Sequence, residues 1–276
     1  MPELPEVEVT RQGIDAPLRG ARVVGVRLGK PLRWPLGCGD GELLGATVGP
    51  VARRGKYLWL TLRREGREAG GLLMHLGMSG SLALRAEAGA PGPHDHFDLV
   101  TDRGTVRLTD PRRFGAVVWA PALDRPPADK LLARLGAEPF DDQFTPQALH
   151  RALRARRAPI KAVLLAGEVV VGAGNIYACE ALHQAGIHPA ARSDRLSAPR
   201  AALLHGAIRA TLARALALGG STLRDFSDVH GASGAYQAEA AVYGRDGQPC
   251  PRCGAAVRRL VQAGRSTYYC RGCQRR

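Results

Sequence analysis

The sequence predicts a multidomain α+β chain. An N-terminal antiparallel β-sandwich flanked by helices is followed by a helical domain and then a small cysteine-rich β-hairpin ribbon. Three observations predict it. From Ala21 to about Ala120, short β-rich runs alternate with Gly and Pro clusters, the punctuation of antiparallel sheets. After Arg125-Pro-Pro-Ala-Asp129 the apolar residues recur at helical spacing. The last 27 residues hold four of the six cysteines, as two CxxC pairs.

At 276 residues and 45% apolar content the chain is long enough for one large or two medium domains with real cores. It has no run of 18 apolar residues and no basic-then-apolar leader, so neither a membrane span nor a signal peptide is expected, and the cytosol is the expected compartment. The formal net charge of +14 and a pI near 10.3 favour a polyanionic partner such as nucleic acid, although ribosomal and membrane-surface proteins share that balance. Of 39 basic residues only Lys30, Lys56, Lys130 and Lys161 are lysines, which marks them as candidates for chemistry that arginine cannot do, such as giving up a proton.

The chain opens Met1-Pro2-Glu3-Leu4-Pro5-Glu6. Removal of Met1, usual ahead of proline, leaves Pro2 with a free secondary amine, and an α-amino group titrates at about 7.7–8.0. Attack on a sugar aldehyde carbon gives an iminium ion, an electron sink of the kind that lysine Schiff bases supply. Glu3 and Glu6 lie within one turn and are candidates to move protons. An exposed two-proline tail is the plainer expectation for a terminus taken alone. Glu6–Leu18 has helix-compatible spacing, with Pro5 allowed in the first turn and Gly20 closing it, and the helix dipole favours a carboxylate near that end.

Strands are expected at Ala21–Leu28, Ala46–Ala52, Tyr57–Leu62, Gly71–Leu76, Ser81–Arg85, Phe97–Thr101, Thr105–Leu108 and Ala116–Trp119, with Asp102-Arg103-Gly104 as a hairpin turn. Within this region Arg53-Arg54-Gly55-Lys56-Tyr57 puts a lysine at the mouth of a strand, suited to a phosphate, to acid–base work, or to a plain basic turn. Met78 lies between glycines in His75-Leu-Gly-Met78-Ser-Gly80, hence on a turn, where an apolar side chain is either minor core or a filler for the hole left by an unstacked base. His94-Asp95-His96 lacks a third metal ligand, so phosphate contact or plain surface is expected there. Asp110-Pro-Arg112-Arg113-Phe114-Gly115 is a turn whose arginines and aromatic suit insertion into DNA, or a surface loop with one buried ring.

Helices follow at Asp129–Leu135, Pro146–Arg156, Pro159–Ala166, Gly174–Gln184 and Ser197–Leu218. The run from Arg151 to Lys161 is basic at Arg151, Arg154, Arg156, Arg157 and Lys161 and has no acid, a backbone-binding face. A Gly-Ala-Gly turn before a helix starting at Asn175 offers free backbone N–H groups to a phosphate, a pattern also met in structural hairpins.

Cys250-Pro-Arg-Cys253 and Cys270-Arg-Gly-Cys273 have zinc-ribbon spacing, with two strands between them, Ala255–Val261 and Ser266–Tyr269, turning at Ala263-Gly264. A structural zinc is expected, since no ligand position is left open; two disulfides are the rival. Arg245–Arg276 stays net basic even after a four-thiolate zinc is counted, with Arg265 at the strand turn. Cys38 and Cys179 read as small buried apolar residues.

Taken together, MPELPEVE, RRGKY, HLGMSGSL, HDHFDLV, TDPRRFGA, GNIYACEAL with AGIHP, VYGRDGQPC and the terminal CxxC ribbon resemble the formamidopyrimidine-DNA glycosylase family of bacterial base-excision repair across nearly the whole chain. Leu4 argues for that branch over the endonuclease VIII type, which usually has glycine there. The resemblance implies domains at 1–124 (catalytic sandwich), 141–228 (helix–two-turn–helix) and 242–276 (zinc ribbon), with a linker at 125–140 and a lesion-capping loop at 229–241. It implies Pro2 as Schiff-base nucleophile, Glu3 as acid/base, Glu6 as its support, and Lys56 and Arg265 on phosphate while assisting β- and δ-elimination.

His75, His94, Arg112, Arg156, Asn175 and Tyr177 are implied as DNA contacts, and Met78, Arg112 and Phe114 as fillers of the vacated stack. Cys250, Cys253, Cys270 and Cys273 are implied to hold one structural Zn2+. The implied partner is double-stranded DNA with an oxidised base or abasic site, met by a monomer in the bacterial cytoplasm at the nucleoid. The chain departs from the family at Asp225–Val242, where Ala235-Tyr236 stands in place of an aromatic pair, so lesion preference does not follow from the resemblance. An endonuclease VIII-type enzyme for oxidised pyrimidines and a non-catalytic zinc-ribbon DNA-binding protein are the alternatives.

Overall fold

Alternating apolar residues with hairpin turns produce two antiparallel sheets in the first of two compact units. A computed structural model describes residues 1–221 and 234–276. The first unit comprises Met1–Ala133 with Gly219–Ala235, the second Arg134–Leu218 with Tyr236–Arg276.

The first unit begins with α1 (Leu4–Leu18), continues through β1 (Val23–Leu28) and the short α2 (Asp40–Leu43), and reaches β2 (Thr47–Arg54), β3 (Tyr57–Arg64) and β4 (Arg67–His75). Then come β5 (Ser81–Arg85), β6 (Asp95–Thr101), β7 (Gly104–Thr109), β8 (Ala116–Ala120) and α3 (Ala128–Leu132). One sheet runs β2-β3-β4-β8 and the other β1-β6-β7-β5, with every neighbouring pair antiparallel. Leu58, Leu60, Leu72 and Met74 from the first sheet and Phe97, Leu99, Val106 and Leu108 from the second share one core, which Val7, Ile14 and Leu18 of α1 complete. All eight expected strands are present, and β6–β7 turns at Asp102-Arg103 as expected.

The helix expected at Asp129–Leu135, within the expected 125–140 linker, is present as α3. Ala128 of α3 is buried with Trp59, Leu73 and Ala120, so α3 closes over the first sheet and belongs to the first unit. The reason is local: a short helix gains most by covering the apolar face beside β8.

In the second unit α4 (Pro146–Arg154), α5 (Ile160–Ala166), α6 (Asn175–Gln184) and α7 (Ala198–Ala217) match the expected helices to within two residues. The 20-residue α7 packs on α4 and α6, burying Leu204, Ile208 and Leu212. The one-turn α8 (Tyr236–Glu239), unanticipated, follows. The ribbon is the hairpin β9 (Val257–Gln262) and β10 (Arg265–Cys270). Its turn residues Ala263 and Gly264 have φ of 48° and 70°, the left-handed pair that a two-residue hairpin requires. Among the described residues no helix is long and apolar enough to cross a membrane.

Candidate active site

The amino end is an ordered part of the sandwich unit, not a tail. Pro2 is buried, Glu3 is the cap residue of α1, and Glu3 and Glu6 are 2% and 0% exposed. Glu6 Oε2 accepts the Glu3 N–H at 2.7 Å, the reciprocal half of a capping box. Its other oxygen, Oε1, accepts the Ser221 N–H at 2.7 Å and the Ser221 hydroxyl at 3.2 Å. The chain approaches so closely there that a Cβ on Gly220, at φ 86°, would sit 2.9 Å from that oxygen. Ser221 also forms a β-bridge with Ala235, and both residues belong to this unit. The expected capping loop at 229–241 falls partly outside the described residues. Its described part is split, because Tyr236 starts α8 and is counted with the second unit.

Lys56 sits half-buried at the tip of the β2–β3 hairpin, where Arg54 pairs with Tyr57. Beside it, the Tyr57 ring lies 4.8 Å from His75. Burial lowers the His75 pKa to about 4, with the Lys56 and Arg33 charges adding to it and Asp110 opposing. The ring is therefore neutral at pH 7. Its Nδ1 accepts the Gly77 N–H at 3.0 Å, which leaves the proton on Nε2 as a donor.

Two turns carry the expected stack-filling side chains, and one carboxylate ties them together. Asp110 is 0% exposed; its Oδ1 accepts the Ser79 hydroxyl at 2.7 Å and its Oδ2 the Gly115 N–H at 2.7 Å. Met78 and Phe114, neighbours of those two partners, are 39% and 44% exposed, and the Arg112 guanidinium lies 5.0 Å from the Phe114 ring centroid. Exposed His94 joins the same assembly, since its carbonyl accepts the Asp110 N–H at 2.8 Å. Sequence reasoning misses Asp110; a carboxylate opening a turn five residues ahead of a glycine is the available signal.

In the second unit Asn175 begins α6. Its Oδ1 accepts from Lys161 Nζ at 2.5 Å, and its Nδ2 donates to the Ser266 carbonyl at 2.9 Å. Lys161 is fully buried and also donates to Thr267 Oγ1 at 2.6 Å, so this lysine welds α5, α6 and β10 into one block. The sequence places it on a basic face, and its actual place is interior. Tyr177 is 1% exposed and packs edge-on against Tyr236 at 5.1 Å. Its ring is core, and a phosphate contact rests on its place in the first helical turn instead. Arg156 is half-buried and donates to the Ala152 carbonyl at 2.8 Å, with Glu168 3.7 Å away. Arg265 is exposed at the start of β10. Glu180, also missed by sequence reasoning, accepts the N–H groups of Ala241, Val242 and Tyr243 and holds the approach to the ribbon.

The four ribbon sulfurs lie within 4.8 Å of one another, with Cys250–Cys273 at 3.9 Å and Cys253–Cys270 at 3.4 Å. Zn–S bonds of about 2.3 Å at tetrahedral angles put sulfurs about 3.8 Å apart, whereas a disulfide needs about 2.05 Å. The donor set fits one structural zinc, and the disulfide rival does not fit. His183 Nε2 lies 3.3 Å from Cys250 Sγ, a contact that orients this ligand.

Three family models match this chain: the formamidopyrimidine-DNA glycosylase N-terminal domain over residues 1–117, the formamidopyrimidine-DNA glycosylase H2TH domain over 135–227, and the zinc finger found in FPG and IleRS over 247–276. The chain belongs to the formamidopyrimidine-DNA glycosylase family. It is 57% identical to the formamidopyrimidine-DNA glycosylase of Albidiferax ferrireducens and 58% identical to that of Variovorax paradoxus, with both chains fully covered. Among solved structures, MutM (Fpg) from Thermus thermophilus superposes with a TM-score of 0.87 at 38% identity, covering 99% of this chain and 98% of that one. A Lactococcus lactis FPG mutant in complex with Fapy-dG-containing DNA gives a TM-score of 0.90 at 33% identity, with full coverage of both chains. MutM in complex with DNA containing carbocyclic 8-oxo-G gives 0.89 at 33% identity, also with full coverage. Family membership accounts for the ribbon as a structural zinc finger and for the mixed antiparallel fold.

Proposed function

We propose that this chain is a bifunctional DNA glycosylase of base-excision repair, which releases 8-oxoguanine and formamidopyrimidines from duplex DNA and then cleaves the strand as an AP lyase. The observation that carries the reading is the buried N-terminus, with Glu6 gripped by the amides of Glu3 and Ser221. An idle tail would not be held in this way.

Removal of Met1 converts the Pro2 nitrogen from an amide to a secondary amine. That nitrogen attacks C1′ of the extruded nucleotide, the bond to the base breaks, and Glu3 supplies the proton that opens the sugar ring. Extrusion costs a few kcal/mol, and Met78, Arg112 and Phe114, on the turns locked by Asp110, support the emptied stack. The resulting iminium acidifies C2′–H. Loss of that proton expels the 3′ phosphate, and a second elimination expels the 5′ phosphate. Lys56 and Arg265 neutralise these leaving groups, and hydrolysis of the iminium returns the amine. Glu6 positions Glu3 through its backbone. His75, as a neutral Nε2–H donor, joins His94, Arg156, Asn175 and Tyr177 on the DNA. Zinc supplies shape: it holds the hairpin that displays Arg265.

The test is borohydride trapping on an 8-oxoguanine duplex, with the processed protein and with one extended ahead of Pro2. The processed protein should give a covalent adduct and a one-nucleotide gap, and the extended one neither. Equal nicking by both, without adduct, would mean that the chain uses another catalyst. A parallel thymine glycol duplex separates this reading from the endonuclease VIII type by the faster-released base.

A further inference from the structure

A cavity of about 360 Å³ opens in the first unit where the 28–36 segment lies against β6 and β8. Its walls include Leu32, Trp34, Phe97 and Val117, with Lys30 and His96 as the polar contributors. That volume and that balance, mostly apolar with few polar groups, are those of small-molecule sites. The segment is fixed by backbone bonds from Gly29 N to His96 O at 2.9 Å, Arg33 N to Gly115 O at 3.3 Å and Trp119 N to Leu36 O at 2.8 Å. The opening is thus built into the sandwich.

His96 separates this cavity from an ordinary packing gap. It is 3% exposed, and among the described residues neither ring nitrogen makes a well-formed hydrogen bond, the Asp110 backbone being the polar group that lies beside it. A buried polar group left so is costly and calls for an occupant. Burial lowers the basicity of the ring, opposed by the charge and the backbone of Asp110, and a neutral imidazole carries one N–H and one lone pair. Trp34, which lines the opening, is 46% exposed, with the Arg33 guanidinium 5.9 Å from its ring centroid. Lys30 is exposed and adds a cation.

We propose that this cavity binds a small planar aromatic carboxylate. The ring lies against Trp34 and Phe97, a polar ring substituent bonds His96, and the carboxylate pairs with Lys30. None of these residues belongs to the Pro2, Glu3, Glu6 and Lys56 set, so the site stands apart from the excision reaction and does not depend on it.

The probe is 6-hydroxy-2-naphthoate, followed by calorimetry and saturation-transfer NMR on the full-length zinc-loaded protein, with 2-naphthoate as its partner lacking the hydroxyl. One-to-one saturable binding is expected. Lys30→Gln should weaken it roughly fivefold, Leu32→Trp should abolish it by filling the cavity, and His96→Phe should erase the difference between the two probes. Absence of saturable binding to the parent protein overturns the proposal. So does an affinity unchanged by Lys30→Gln, a surface substitution that leaves the fold intact, even if Leu32→Trp or His96→Phe fails to fold.

Discussion

The zinc ribbon and the N-terminal site both surround acceptors with donors, but they assemble over very different stretches of chain. The ribbon draws its four sulfurs from residues 250–273, and each CxxC turn preforms half of the tetrahedron. At the N-terminus Glu6 meets Ser221 across 215 residues, and in the turns that carry Met78 and Phe114, Ser79 meets Asp110 across 31. A local site is written in residue spacing and needs a metal to finish it. A distant one is completed by backbone donors whose identity no spacing reveals, so its failure modes are those of tertiary packing.

The largest effect expected from this contrast is loss of the metal. Apparent binding energies of structural zinc in small fingers reach about 10–16 kcal/mol, so chelation or Cys270→Ser should unfold the hairpin. Limited proteolysis should then cut within 250–276 while sandwich amide signals persist. A metal-free ribbon that kept its protection would remove the distinction.

Next comes Asp110→Ala. It strands the Ser79 hydroxyl and the Gly115 N–H in the interior, at about 1–3 kcal/mol each. Denaturant unfolding should show a total loss of about 4 kcal/mol, and Asp110→Asn a smaller one.

His75 sharpens the comparison through pH. Its pKa is about 4 when folded, against 6.5 for an unperturbed histidine. As pH falls below about 6.5 the unfolded chain binds this proton and the native chain does not, so stability falls with falling pH until about 4 and levels off below. The contribution is up to about 3 kcal/mol. His75→Asn should flatten the stability profile between those limits.

The smallest expected effect is Ser221→Ala, which removes the 3.2 Å hydroxyl donor to Glu6 and leaves the 2.7 Å amide in place. Single-turnover base release should slow about fivefold, near 1 kcal/mol. A drop as large as that of an N-terminal extension would mean that the hydroxyl takes part in chemistry.

Much of the architecture is legible because period and punctuation are short-range. Eight strands, the main helices and the Ala263-Gly264 turn all follow from alternation, helical spacing and glycine placement. The site is legible as residue types but not as contacts. Asp110 and Glu180 look like ordinary turn and helix acids until their amide partners are visible. Lys161 resembles its basic neighbours although it is wholly interior. Tyr177, implied as a DNA contact, has its ring in the interior, edge-on to Tyr236. The lone His94-Asp95-His96 motif gives no hint that its second histidine lines a cavity.

By itself, the sequence determined the elements, the zinc donor set and the candidate nucleophile, because each depends on neighbours a few residues apart. Only the tertiary structure decided which polar side chains are buried and what they bond. Burial and hydrogen-bond partnership are properties of distant segments brought together, and the cost of leaving a buried polar group unpaired selects those partners only once the chain is folded.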